Sequence, residues 1–233
     1  MSTVLSVEGL RKRFGRVEAV KDVSFTIRAG ELVGLVGPNG AGKSTTIQMI
    51  SGQLMPDAGA VRIGGVDVVA DPNGARAKVG YVPEEPRLYD YLSAREMLSF
   101  VAEIRGVGQA EVEAALDLCG LGGDADRLIR EYSQGMRRRA ALGCAMVARP
   151  QLLVLDESLN GLDPPSAERT LRGLRAACAA GAGVVLSTHV LDTLERVADR
   201  IIMIRAGCVV ADVPATELGR LRASWAQEAT TPA

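Results

Sequence analysis

Three groups of residues in this chain could do chemistry on a nucleoside triphosphate. The first is Gly37-Pro38-Asn39-Gly40-Ala41-Gly42-Lys43-Ser44-Thr45, spaced G-x-x-x-x-G-K-S. Glycines at those positions let successive N–H groups curl around phosphate oxygens without an obstructing β-carbon. Lys43 can reach the β- and γ-phosphates, and Ser44 can offer its hydroxyl to Mg²⁺. The second group is Asp156-Glu157, which closes the apolar run Leu152–Leu155. Asp156 can hold the Mg²⁺ that bridges the phosphates, and Glu157 can polarise an attacking water. Acidic residues also cap helices after strands, but charge is normally excluded from a run this apolar. The third is His189, the single histidine, just after the apolar stretch 183–187. A lone histidine is more often structural. At a strand end among parallel neighbours, however, its imidazole could donate to a γ-phosphate.

These residues need elements that bring them together. Residues 31–36 read as a buried strand feeding the glycine-rich loop, and the helix after it starts at the phosphates, so its free N–H groups and dipole face the anion. Strands alternate with helices from there on. That predicts an α/β fold with a mainly parallel sheet and the loop at a strand's carboxyl end. Val4–Glu8, Val23–Ile27, 61–63 and 66–68 read as strands of a small antiparallel sheet beside that core. Residues 79–82 form another short strand, ended by the constrained loop Pro83-Glu84-Glu85-Pro86.

Ser93 with Glu96 makes a capping box, and Met97, Phe100, Val101 and Ile104 follow as one apolar helical face ending at Gly106. A second helix spans 111–119. The block 86–146 is therefore expected to be a helical insertion in the α/β core. Asp163-Pro164 starts a helix running to about Ala180, with the aspartate as its cap. A strand at 183–187, a helix to Ala198 and a hairpin around Gly207 close the fold. The expectation is one domain over 1–224 and a frayed tail over 225–233.

Phe14 lies in the basic stretch Leu10–Gly15. Its ring could stack on adenine or plug a sheet edge, and composition leaves both open.

The 233 residues are 47% apolar and 24% charged, with a net charge of −1. That charge supplies no basic field for nucleic acid, so no nucleic-acid partner is expected. No leader and no apolar run of about 18 residues stands out, so a cytoplasmic protein is expected. Cys119, Cys144, Cys178 and Cys208 are scattered, which suits reduced thiols better than a disulfide or zinc framework.

Taken together, the chain resembles the ATP-binding cassette (ABC) family, and specifically the nucleotide-binding subunit of a transporter. Gly37–Thr45 is similar to Walker A, Tyr132–Met136 to the signature sequence, and Leu152–Asp156 to Walker B. Glu157 stands in the catalytic glutamate's place, Leu159–Asp163 resembles the D-loop, and His189 the switch histidine. The resemblance implies a P-loop NTPase (RecA-like) core with a small N-terminal antiparallel β-subdomain and an inserted α-helical subdomain. It implies ATP and Mg²⁺ as cofactors, and it places Phe14 against adenine. Two subunits, alike or different, would pack head to tail, so that Ser133, Gly135 and Asp163 of one complete the site of the other. A separate membrane permease would be the partner, holding the chain at the inner face of the membrane.

Departures are Gln134 and Met136 in the signature, and Glu84 where the family usually has a glutamine reaching Mg²⁺. The stretch 81–86 looks more like exporters than importers. Leu88, Tyr89 and Tyr91 would contact the permease. The three arginines Arg137, Arg138 and Arg139 read as lying in the first turn of a helix, where they oppose its dipole. That suits a polyanion, a protein contact or a solvated basic face. The alternative function is a soluble ABC ATPase acting on nucleic acid or the ribosome.

Overall fold

The computed structural model describes residues 2–159, 162–188 and 191–219. It opens with a long hairpin, β1 (Thr3–Phe14) and β2 (Val17–Arg28). Both strands outrun the sequence expectation, which ended the first at Glu8. The reason is a bulge. The pairing register slips between Val7 and Leu10, so Leu10 takes the buried phase where simple alternation would point Gly9. The basic stretch 11–13 is thus strand, not loop.

All five residues of β3 (Leu32–Val36) are buried, as a central parallel strand requires. Then come α1 (Lys43–Ile50), β4 (Ala58–Ile63) and β5 (Val66–Asp67). The short helix α2 (Pro72–Ala77) has no counterpart in the sequence reading, since Asn73 and Gly74 are poor helix formers. Its capping decides the matter. Asp71 accepts from the Gly74 N–H at 2.9 Å, and Pro72 opens the helix.

Between β6 (Val79–Val82) and β7 (Leu152–Leu155) lie α3 (Ala94–Arg105), α4 (Gln109–Leu118) and α5 (Gln134–Met146). Ser93 and Glu96 make both bonds of the capping box, at 3.2 and 2.8 Å. The buried face of α3 differs from the expected one. Ala94, Met97, Leu98 and Ala102 point inward, while Phe100 and Ile104 are exposed. At 100° per residue Phe100 and Ile104 sit across the helix from Leu98, so the core takes the small alanines and leaves two large apolar groups outside.

The arginines of α5 also differ from expectation. Arg137 is the fourth helical residue, beyond the first turn; Arg137 and Arg138 are half-buried and Arg139 is buried. Arg137 pairs with Asp90 at 2.7 Å and donates to the Ile129 carbonyl. Arg139 is buried and donates to the carbonyls of Cys119 and Gly120 at 3.1 and 2.8 Å, closing the C-terminal end of α4. Its Nε is buried without a partner among the described residues, which offsets part of that gain. Arg139→Ala should therefore lower stability by about 2–3 kcal/mol in urea unfolding. Arg139→Lys should recover only part of it, because an ammonium lacks the planar fork.

After β7 come α6 (Pro164–Ala179), β8 (Gly183–Ser187), α7 (Leu191–Val197), β9 (Arg200–Arg205) and β10 (Cys208–Pro214). Asp163 caps α6 and Pro164 is its first residue, as the sequence expects. One sheet runs β5-β4-β1-β2-β10-β9-β3-β8-β7-β6. Its β9-β3-β8-β7-β6 part is parallel, and its β2-β1-β4-β5 part antiparallel. β10 links the two parts, pairing antiparallel with β9 and, among the described residues, with β2 at Cys208 and Asp22. The antiparallel sheet is thus continuous with the parallel one.

All four cysteines are free thiols, and burial pushes Cys119 up to about 12, so it stays protonated. Among the described residues no helix is long and apolar enough to cross a membrane.

Candidate functional site

The parallel strands β3, β7 and β8 deliver residues 37–45, 156–157 and 188 to the same edge of the sheet. Ligands of open α/β sheets bind at that edge. In the loop after β3, Gly42 has φ 104° and caps α1. A β-carbon there would collide with the Ala19 carbonyl of β2, so glycine is required on two counts. Lys43, Ser44 and Thr45 are the first three helical residues, and their N–H groups lack intrahelical acceptors. Lys43 is buried, and its ammonium donates to the carbonyls of Gly37 at 2.8 Å and Pro38 at 3.2 Å. The loop is thereby held open around its own cation. Pro38, Asn39, Gly40 and Ser44 are exposed, while Gly37 and Ala41 are buried.

Asp156 is buried at the end of β7, and its Oδ1 accepts from the Ser187 hydroxyl at 2.7 Å. The same Ser187 Oγ accepts from the Glu157 N–H at 2.9 Å, and the Ser187 carbonyl accepts from that N–H at 3.1 Å. Glu157 adopts φ 48°, a left-handed conformation that costs a non-glycine residue about 1–3 kcal/mol. One serine on the neighbouring strand therefore fixes both carboxylate-bearing residues. The sequence alone does not single out Ser187, because its role depends on β8 lying beside β7.

A cleft of about 820 Å³ opens over this edge. Asn39 to Thr45 line it, with Glu84 from the loop after β6, Glu157, and Val17, Glu18, Ala19 and Lys21 of β2. The β2 wall of Val17, Glu18, Ala19 and Lys21 has no counterpart in the sequence reading, which begins that strand at Val23.

Other expected site residues lie outside the cleft lining. Phe14 is 49% exposed at the hairpin tip, paired with Val17, which does line the cleft. The Lys12 ammonium stands 5.7 Å from the Phe14 ring centre. Ser133 caps α5, accepting from the Met136 N–H. Gly135 is buried against the start of α6, where a β-carbon would come within 2.8 Å of Ser166 Oγ. Asp163 accepts from the Ser166 N–H at 2.9 Å, which holds its carboxyl below the usual range. His189, with Asn160 and Gly161 of the expected D-loop, lies outside the described residues.

A family model described as ABC transporter matches residues 20–160. The linearmycin resistance ATP-binding protein LnrL of Bacillus subtilis is 38% identical over 219 residues, 92% of this chain and 70% of that protein. The chain belongs to the ABC transporter family. The Nod factor export ATP-binding protein I of Ralstonia nicotianae is 36% identical over 219 residues, 92% of this chain and 68% of that protein. A solved ATP-binding subunit of an ABC transporter superposes with TM-score 0.86 at 34% identity, over 95% of this chain and 94% of that one. The mixed α/β architecture is the P-loop NTPase fold of ABC ATPases. As an ABC ATP-binding subunit the chain binds ATP and couples its hydrolysis to transport.

Proposed function

We propose that this ABC subunit drives export through a separate membrane permease, working as a head-to-tail pair of nucleotide-binding subunits. The observation that carries the pairing is the division of the expected nucleotide contacts. Asn39–Thr45, Glu84 and Glu157 line one cleft, whereas Ser133, Gly135 and Asp163 stand together elsewhere, with Gly135 packed on the α6 cap. A second copy would bring its Ser133–Gly135 helix start over the phosphates, presenting N–H groups and a hydroxyl to an anion. Phe14, at the hairpin tip beside the cleft, would stack on the adenine.

ATP and Mg²⁺ fit the residues present. The loop between residues 37 and 45 needs glycine at Gly37 and Gly42, where a β-carbon would strike the carbonyls of Ile204 and Ala19, and Ser44, Asp156 and Glu84 offer only oxygen donors, the set a hard cation takes. When bound, Mg²⁺ would neutralise charge on the phosphates. Lys43 would hold the β- and γ-phosphates and Glu157 would accept a proton from the attacking water. His189 would sense the γ-phosphate. Ser187 is the positioning group for Asp156 and Glu157. Ser187→Ala should cut turnover about 10-fold while changing nucleotide affinity far less, a split read from kcat and KM.

The direction of transport rests on relatives that are exporters by name, including Nod factor export proteins. The permease contact rests on an exposed apolar surface, where Tyr89 packs edge-on against Phe100 at 6.2 Å and Tyr91 and Ile104 stand open to water. Such aromatic groups anchor partner grooves. This would place the chain on the cytoplasmic face of the membrane. The test is the Tyr89→Glu/Tyr91→Glu double variant in cells that hold the natural permease. The chain should leave the membrane fraction and transport should stop, with ATP binding by the purified chain unchanged. Unaltered membrane association, or recovery of the native chain with ribosomes or nucleic acid in place of a membrane protein, would defeat the proposal.

A further inference from the structure

Glu84 borders two clefts. One is the phosphate-loop cleft, and the other, of about 340 Å³, lies between the loop after β6 and the start of α5. The second cleft is lined by two carboxylates, Glu84 and Glu85, and two guanidinium groups, Arg137 and Arg138, together with Gln134 and Pro86. The three arginines of α5 differ in how they are engaged. Arg137 is committed to Asp90 and the Ile129 carbonyl, and Arg139 to the carbonyls that end α4. Arg138 is half-buried, and its Nη1 is buried with no hydrogen-bond partner among the described residues. A buried guanidinium N–H without an acceptor costs free energy that a carboxylate across the cleft would recover.

We propose that Arg138 is a positioning residue for Glu84. The Glu84 side chain has two alternative partners, the metal–nucleotide complex in one cleft and the Arg138 guanidinium in the other. Pairing with Arg138 withdraws a carboxylate from a cleft that already holds Glu157 beside buried Asp156. It restrains Glu84 until nucleotide and metal are present to compete for it. The two states differ in which cleft Glu84 closes, so any ligand that favours one must loosen the other. Glu84 and Arg138 line the same cleft but are not bonded to each other in this conformation, so the pair is the proposed step; its metal side rests on the ATPase reading.

Two measurements on the full chain separate these parts. The first is urea unfolding without nucleotide of the wild type, Arg138→Ala, Glu84→Gln and the double variant. Arg138→Ala should lower the midpoint in the wild-type background and have no further effect once Glu84 is glutamine. Equal shifts in both backgrounds would mean that Arg138 has only a packing role, and would overturn the pair. The second is binding of a fluorescent non-hydrolysable ATP analogue across a Mg²⁺ titration. Removing the competing guanidinium should lower the half-saturating Mg²⁺ about 3- to 5-fold, the span of a partly exposed ion pair. Arg138→Lys should stay near the wild type, and Glu85→Gln should leave the titration unchanged. A higher Mg²⁺ requirement in Arg138→Ala, or a Glu85→Gln chain that behaves like Arg138→Ala, would overturn the assignment to Glu84. Failure of the wild type itself to bind the analogue would count against the ATPase reading, and the unfolding cycle would then decide the ion pair.

Discussion

A chain carrying Glu157→Gln should bind ATP as tightly as the wild type and hydrolyse it at least about 10²-fold more slowly, the usual contribution of a positioned general base. The substitution keeps the size and hydrogen-bonding reach of the side chain and removes its capacity to take a proton. The backbone should not move, because the Glu157 N–H is held by both the hydroxyl and the carbonyl of Ser187, and neither bond involves the side chain. The left-handed φ of 48° is likewise tolerated no worse by glutamine than by glutamate. A pair of subunits closed on ATP would then have no route to open. Sedimentation of the variant with Mg²⁺ and ATP should give twice the monomer mass, whereas the wild type returns to monomer as ATP is consumed. Turnover within about threefold of wild type would remove Glu157 from the role of base. A monomer at saturating ATP would remove the head-to-tail pairing.

Lys43→Ala should abolish measurable ATP binding. Two charge-assisted bonds to phosphate oxygens, each worth about 1.5–3 kcal/mol, correspond to a loss of roughly 10²–10⁴-fold in affinity. The lysine has a second task, for in this structure its ammonium satisfies the carbonyls of Gly37 and Pro38 inside the loop. Alanine would leave those carbonyls to water and loosen the cradle, so part of the loss would come from disorder and part from missing charge. Titration calorimetry should show no heat for Mg·ATP, and thermal melting without nucleotide should show only a small shift. Binding within tenfold of the wild type would exclude Lys43 as the phosphate cation.

The α/β alternation, the strand before the phosphate loop, the Ser93–Glu96 capping box and the closing hairpin were legible in the sequence, because each rests on local rules of period and capping. Three features were not, and each turned on something non-local. β1 reaches Phe14 because a bulge at Gly9 restores the buried phase, and a bulge is visible only against the partner strand. The apolar face of α3 is only partly right, because helical spacing groups Met97 with Phe100, Val101 and Ile104, whereas the core takes Met97 with Ala94, Leu98 and Ala102 and leaves Phe100 and Ile104 exposed. The sequence left the arginines of α5 open between a polyanion, a protein contact and a solvated face, because the acceptors of Arg137 and Arg139 are backbone carbonyls and one carboxylate elsewhere in the chain. At the site, the motif residues were found by type and spacing. Ser187 was not, since a serine at a strand end carries no signal until β8 is laid beside β7.

Gly207 joins three segments that are remote in sequence. Its N–H donates to the Ala41 carbonyl of the phosphate loop, and its own carbonyl accepts from the N–H groups of Lys21 and Asp22 on β2. These bonds and the Cys208–Asp22 pair are stitches between the antiparallel and parallel halves of the sheet. A loop tightened around phosphate would pull on the hairpin at that join. Amide exchange along residues 17–24 should therefore slow when the triphosphate binds and quicken when it is spent.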